Sequence, residues 1–281
     1  MTNQSQSYRA AYQGIDGAYS QEAIHQYFKK QVHTIGCSTF EEVVRTVESG
    51  KAEYAFMPAE NSIAGTIVQT FDLLLESTLS IIGEFYLPIH HNLMALPETH
   101  LKDIESVYSH PQALAQCAES IKRFGLKPIA DWDTAGSAKR IREESLQKAA
   151  AIAGNYAAEV YELQLLASNI EDIDHNTTRF FILSKQTSKR SKRNKTSILF
   201  TTRHAPGALV ASMKEFSDRK INLTKIESRP DRKHPWHYIF YLDFEGHIED
   251  PSVEKAMLNI LKRAQMVKIL GSYPCGDQHE G

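Results

Sequence analysis

The residues 175–181, "HNTTRFF", carry an amide, two adjacent hydroxyls and a guanidinium directly into the apolar run "FFIL". Asn176, Thr177, Thr178, Arg179 and Phe180 therefore predict a buried strand whose first residues converge on a cleft. Successive side chains of a strand face opposite ways, so only one of the two threonines points into that cleft. Four more polar clusters fall at predicted strand-to-helix junctions, where α/β layers build their sites. "QGIDGAYS" (13–20) has two glycines ahead of a helix but lacks GxGxxG spacing. Ser20 there is either a plain helix cap or part of an anion-receiving helix start. "PAENSIAG" (58–65) sets Glu60, Asn61 and Ser62 between a strand and a helix, with Gly65 allowing close backbone approach. "SHPQALAQC" (109–117) places Ser109 at a strand end, and Gln112 and Gln116 one turn apart on one helix face. "DTAGSA" (133–138) offers Asp133 or Thr134 as cap, and its small residues, Gly136 and Ser137 among them, leave amides within reach of an anion.

These clusters supply no metal set, no cysteine nucleophile, no Ser/His/Asp trio and no Walker loop, and they imply no cofactor. They recur as neutral donors and helix starts. Such equipment suits a small carboxylate held by position, which leaves an anion-binding module and a lyase both open.

The elements that would position these groups alternate. Strand-like "YRAAYQG", "AEYAFMP", "IESVYS", "KPIADW" and "AAIAG" are each followed by a helix-like segment. One is "STFEEVVRTVESG", with Phe40, Val43, Val44 and Val47 at helical spacing, Ser38 or Thr39 as cap and Gly50 as stop. "HPQALAQCAESIKRFG" reads as one helix. Alternation of this kind predicts an α/β fold with mainly parallel sheets. The stretch 184–197, "SKQTSKRSKRNKTS", holds six Lys/Arg and no acid, and reads as a solvated linker. Beyond it, "TSILFTTR", "PGALVASMKEFSDRK", "INLTKIESRP", "WHYIFYLDFEG", a helix through Val253–Ala264 and "MVKILGSYP" read βαββαβ, a compact second domain with its own core. Trp236, Tyr238, Phe240, Leu242 and Phe244 alternate as one face of a strand.

The 281 residues, 42% hydrophobic and of net charge −2, exclude nucleic acid or an anionic membrane as the main partner. No apolar run spans a bilayer, the first residues do not read as a secretory signal, and three scattered cysteines suggest neither disulfides nor zinc. A cytoplasmic protein is expected.

The ordered set "GIDGAYS", "PAENSIAG", "YSHPQALAQC", "DTAGSA" and "NTTRFF" resembles the prephenate dehydratase family. "PGALV" and "NLTKIESRP" resemble its C-terminal ACT regulatory domain. The resemblance covers about residues 8–275. It departs at Val210, where the family has tyrosine, and at "DTAGSA", where the family run is richer in alanine. It implies a periplasmic-binding-protein-like catalytic domain over 8–185, with lobe 1 at about 8–84 and 171–185 and lobe 2 at about 85–170. A basic linker (186–196) and a ferredoxin-like ACT domain (197–275) follow.

The implied reaction turns prephenate into phenylpyruvate in L-phenylalanine biosynthesis, with Thr178 as donor to the leaving hydroxyl and Asn61, Ser109 and Gln116 as its neighbours. Glu60, Ser62, Ser20, Gln112, Thr134, Gly136, Ser137, Asn176, Thr177, Arg179 and Phe180 are expected to surround the substrate, and the helix starts to receive its carboxylates. The effector L-phenylalanine is expected at Gly207, Ala208, Leu209, Val210, Asn222, Leu223, Glu227, Ser228, Arg229 and Pro230, between chains of a homodimer or a dimer of dimers (a homotetramer). Arogenate dehydratase on the same scaffold and a non-catalytic amino-acid sensor are the alternatives.

Overall fold

Apolar faces in three sheets account for the architecture of the computed structural model, which describes residues 8–29, 32–231 and 237–276. Lobe 1 starts with β1 (Tyr8–Gln13), α1 (Tyr19–Phe28), β2 (Val32–Cys37), α2 (Phe40–Glu48) and β3 (Tyr54–Asn61). It continues through β4 (Gly65–Thr66), α3 (Val68–Glu76) and β5 (Ser80–Pro88). Lobe 2 contains β6 (Asn92–Ala95), β7 (Ser106–Ser109), α4 (Pro111–Gln116), α5 (Ala118–Arg123) and β8 (Lys127–Ala130). It closes with α6 (Thr134–Glu143), β9 (Ala149–Ala153), α7 (Asn155–Val160) and β10 (Gln164–Ala167). The chain then returns to lobe 1 as β11 (Thr177–Ser184), buried along nearly its whole length.

The first sheet runs β2-β1-β3-β11-β5, with β4 paired to β3, and the second runs β10-β6-β9-β7-β8. Both are mixed rather than mainly parallel. The returning strand β11 is antiparallel to both β3 and β5. Because β5 belongs to the first sheet, the crossing lies at 89–91 rather than near residue 84. The expected helix over 110–125 is broken at Cys117. The Gln116 carbonyl accepts the Asp172 amide (2.7 Å) and the Asp172 carboxylate receives the Glu119 amide, so the returning chain caps both halves.

The C-terminal unit follows the expected βαββαβ order: β12 (Asn194–Thr201), α8 (Ala208–Ser217), β13 (Leu223–Pro230), β14 (Tyr238–Glu245), α9 (Pro251–Arg263) and β15 (Met266–Pro274). Its antiparallel sheet runs β13-β14-β12-β15. Phe240, Leu242 and Phe244 pack under α8 and α9 as their alternation predicts, while Trp236 lies outside the described residues. The opposite face is not free. Leu199, Ile239, Tyr241, Leu270 and Tyr273 join Met57, Phe71 and Phe181 of lobe 1 in one continuous core. The linker is also shorter than expected, since Asn194–Thr196 already form buried strand; Lys195 is 6% exposed rather than solvated.

Candidate active site

Thr178 and Asn61 are register partners on the β11–β3 ladder. The Asn61 Oδ1 accepts the amides of Ile63 (3.1 Å) and Ala64 (2.8 Å). That leaves its Nδ2 to donate to Thr178 Oγ1 at 3.0 Å and to Asn176 Oδ1 at 2.7 Å. With the threonine oxygen accepting, its own proton is left for a ligand. A hydroxyl that accepts from an amide is polarised toward giving up its proton, and a water-poor site strengthens this. Thr178 is 9% exposed.

The chain of bonds continues across the lobes. Asn176 Nδ2 donates to Gln116 Oε1 at 3.3 Å, and that oxygen lies 2.8 Å from His91 Nε2. His91 Nδ1 lies 2.8 Å from the Tyr19 hydroxyl on α1. Gln116 Oε1 can only accept, so His91 Nε2 carries a proton, and the single Tyr19 hydroxyl proton is shared between His91 Nδ1 and the His90 carbonyl at 2.9 Å. Burial pushes the His91 pKa down from its ordinary value, only partly offset by Gln116 and Glu171. Tyr19 and His91 were not singled out from the sequence. Tyr19 lies inside the quoted "GAYS", and His91 on a crossing that the sequence did not locate.

Close packing keeps the lobes together around this chain. A Cβ on Gly154 would stand 2.7 Å from the Tyr19 ring, and Gly17 (φ +85°) abuts the Ala157 backbone. The Tyr161 hydroxyl donates to the Asp16 carbonyl at 2.6 Å.

Asn61, Gln116, Asn176 and Thr178 are thus brought together, and several other expected residues are not. Ser109 is fully buried and donates to the Ile152 carbonyl at 2.6 Å, within the second sheet. Gln112 is exposed on α4. Ser20 caps nothing: Ala18 is the cap residue of α1, and the Gly17 amide is taken by Gln21 Oε1 at 2.7 Å. Asp133 caps α6 by accepting the Gly136 amide, and Ser137 donates to the Asp133 carbonyl, so the anion at this helix start is the protein's own. Thr134 sits half-buried in that first turn. Ser62 clasps the returning chain, donating to the His175 carbonyl at 3.0 Å and accepting the Thr177 amide. Phe180 is core, packed with Tyr12 and Phe56.

Thr177, Arg179 and Glu60 face the other way, toward the C-terminal domain. A cavity of about 650 Å³ opens there, lined by Asn61, Asn176, Thr177 and Arg179 together with Lys195 and Thr224 of the C-terminal domain, and it adjoins Thr178 through Asn61.

The family model described as "Prephenate dehydratase" matches residues 10–188. The chain belongs to the prephenate dehydratase family.

Members of this family are carbon–oxygen lyases, and this chain is one of them. It is 40% identical over 277 residues to "Arogenate dehydratase/prephenate dehydratase 2, chloroplastic" of Arabidopsis thaliana, covering 95% of this chain and 72% of that one. Among solved structures, a prephenate dehydratase of Arthrobacter aurescens in complex with L-Phe superposes with TM-score 0.87 at 30% identity, covering 95% of this chain and 89% of that one. A structure described as "GqqA- a novel type of quorum quenching acylases" superposes with TM-score 0.88 at 34% identity, covering 95% and 98%. The periplasmic-binding-protein-like domain and the ACT domain expected from the sequence are therefore the architecture of this family member. No helix among the described residues is long and apolar enough to cross a membrane.

In the ACT domain the expected effector residues fall in two groups. Gly207 to Val210 line a cavity of about 200 Å³ with the 202–205 loop and Phe240, where Gly207 (φ +79°) starts α8 in a left-handed conformation. None of residues 222–230 lines it. Asn222 accepts the Glu245 amide beside Leu223, Glu227 accepts from Thr66 at 2.9 Å, and Arg229 approaches Asp72 at 3.7 Å. Ser228 and Pro230 are exposed.

Proposed function

We propose that this family member acts on prephenate, and that the Thr178 hydroxyl assists departure of the ring hydroxyl. The carrying observation is the Asn61 amide, held by two backbone donors and aimed at Thr178 Oγ1. Loss of carbon dioxide leaves the electron pair of the broken carbon–carbon bond to enter the ring as the carbon–oxygen bond breaks. Hydroxide leaves as water once it gains a proton, which Thr178 supplies and solvent replaces. Aromatisation drives the reaction, so the protein's task is to orient the substrate and offer one strong donor. Asn176, on the returning segment, accepts from Asn61 and donates to Gln116 of the second lobe, and the chain of contacts runs on to His91 and Tyr19.

The acylase description of the similar GqqA structure makes acyl hydrolysis a second reading. It needs a base to take the nucleophile's proton. Asn61 donates to Thr178 and cannot take a proton, and His91 reaches it only through Gln116 and Asn176. This favours the lyase. Incubation of the pure protein with prephenate and with arogenate, reading the aromatic product of each, tests the function. Turnover of arogenate alone would make the chain an arogenate dehydratase, and turnover of neither would overturn the reading.

Feedback by L-phenylalanine at the ACT domain is the regulatory part of the proposal. Residues 222–230 do not line the cavity at Gly207–Val210, and Val210 is 71% exposed. Both facts support an effector site completed by a second copy, in a homodimer or a dimer of dimers. Calorimetric titration with L-phenylalanine, beside rate curves with and without it, checks this. Absence of binding at millimolar concentration would remove the claim.

A further inference from the structure

Two consecutive rungs of the β3–β11 ladder face opposite sides of the sheet. Thr178 pairs with Asn61 on the cleft side, and Arg179 pairs with Glu60 on the side of the ACT domain. The ladder is irregular immediately after this second rung, between Arg179 and Phe180. A bulge re-aims side chains and weakens local pairing, so such a rung needs outside support to keep its aim.

That support comes from the ACT domain. The Arg179 guanidinium donates to Asp243 Oδ2 at 2.6 Å and to the Tyr273 hydroxyl at 3.2 Å, as well as to Glu84 of lobe 1 at 2.8 Å. Lys195 of the ACT domain crosses back to Glu84 at 2.7 Å, and Ser197 joins Asp243 to Tyr273. Each domain contributes one cation and one anion to this buried set, and each cation has a partner in the other domain. Charges taken out of water need such partners, since removal of one leaves another buried and uncompensated. Glu60, on the other half of the rung, accepts Lys225 Nζ at 2.9 Å. The same ammonium reaches Thr66, whose hydroxyl donates to Glu227.

We propose that Arg179 and Glu60 are positioning residues through which the ACT domain holds the Asn61–Thr178 pair in register. Asp243 grips one end of the rung and Lys225 the other, while the next rung carries the reacting hydroxyl. The ACT domain is then part of the foundation of the site, and β13, with Glu227 on it, is the strand through which an effector would reach the donor. The inference rests on the assignment of turnover to Thr178.

The test uses the full chain and the variants Lys225→Gln, Asp243→Asn and Asn61→Ala, with the double variant Asn61→Ala/Lys225→Gln. Lys225→Gln is expected to melt close to wild type yet to lose about 10-fold to 10²-fold in kcat with KM little changed, the scale of a misplaced reacting group. In the double variant the two losses should not add, because Lys225 acts through Asn61. Hydrogen exchange of peptides covering 176–180 should quicken in Asp243→Asn, a readout independent of turnover. Additive losses, or unchanged exchange and unchanged kcat in folded variants, would overturn the inference. An inactive wild type with quickened exchange would leave the mechanical link standing and sink the functional reading instead.

Discussion

Asn61 Nδ2 stands 3.0 Å from Thr178 Oγ1 across one rung of an antiparallel ladder, and the amide cannot turn over because its oxygen already receives two backbone N–H groups. The direction of this bond is thereby set, and with it which group of the pair has a proton to give.

Thr178→Val removes the hydroxyl from a position that tolerates the same shape. The variant should fold and lose about 10²–10³ in turnover, the usual cost of one preorganised donor. Thr178→Ser should keep part of the rate and Thr177→Val most of it. Phenylpyruvate formation by the three purified variants decides, and full activity in Thr178→Val would refute the assignment.

Asn61→Asp separates the structural from the chemical duty of this side chain. A carboxylate still accepts the Ile63 and Ala64 amides, so melting should stay near wild type. It cannot donate to Thr178 and would draw the threonine proton to itself, so kcat should drop by about 10²-fold or more. A fully active Asn61→Asp enzyme would mean that the oxygen of Thr178 needs no donor.

His91 makes the site sensitive to acid. Its folded pKa lies below the ordinary value of 6.5, first through burial. The unfolded chain therefore binds a proton first as pH falls. Stability from this group is complete above about pH 6.5 and declines as pH drops toward the folded pKa. Urea unfolding at pH 8, 6.5 and 5 should show that decline, and it should shrink in His91→Gln. An identical pH profile in the two proteins would remove His91 as its source.

Gly271 has no room for a side chain. A Cβ there would meet the Ile81 carbonyl oxygen at 2.0 Å, and backbone cannot swing aside as a side-chain tip does. Gly271→Ala should push β15 off β5, costing about 1–3 kcal/mol or more. A melting temperature equal to wild type would show that the two sheets do not need this contact.

Much of this was legible in one dimension. Helix α2 forms where Phe40, Val43, Val44 and Val47 recur, and Thr39 caps it as its type and place predict, accepting the Glu42 amide at 3.2 Å. The βαββαβ order of the ACT domain follows from strand alternation and helical spacing, which are local properties. Strand β6 is short and buried throughout and so lacks the alternation that separates one face from the other, while β2, β5 and β10 are irregularly buried and show no clean period of two.

Among the candidate site residues, the motifs pointed to Asn61, Gln116, Asn176 and the two threonines, the family resemblance chose Thr178 between them, and the fold links Asn61, Gln116, Asn176 and Thr178 by hydrogen bonds. What each side chain touches was decided only by the folded sheet. Ser109, Ser62 and Phe180 look as available in the sequence as Thr178, yet hydrogen bonds to distant carbonyls and core packing occupy them. Arg179 is the sharpest case. A strand turns neighbouring side chains to opposite faces, so the residue beside Thr178 became an anchor for another domain. No short stretch of sequence can announce that, because its partners, Glu84, Asp243 and Tyr273, lie 64 to 95 residues away and meet only when two sheets close on each other.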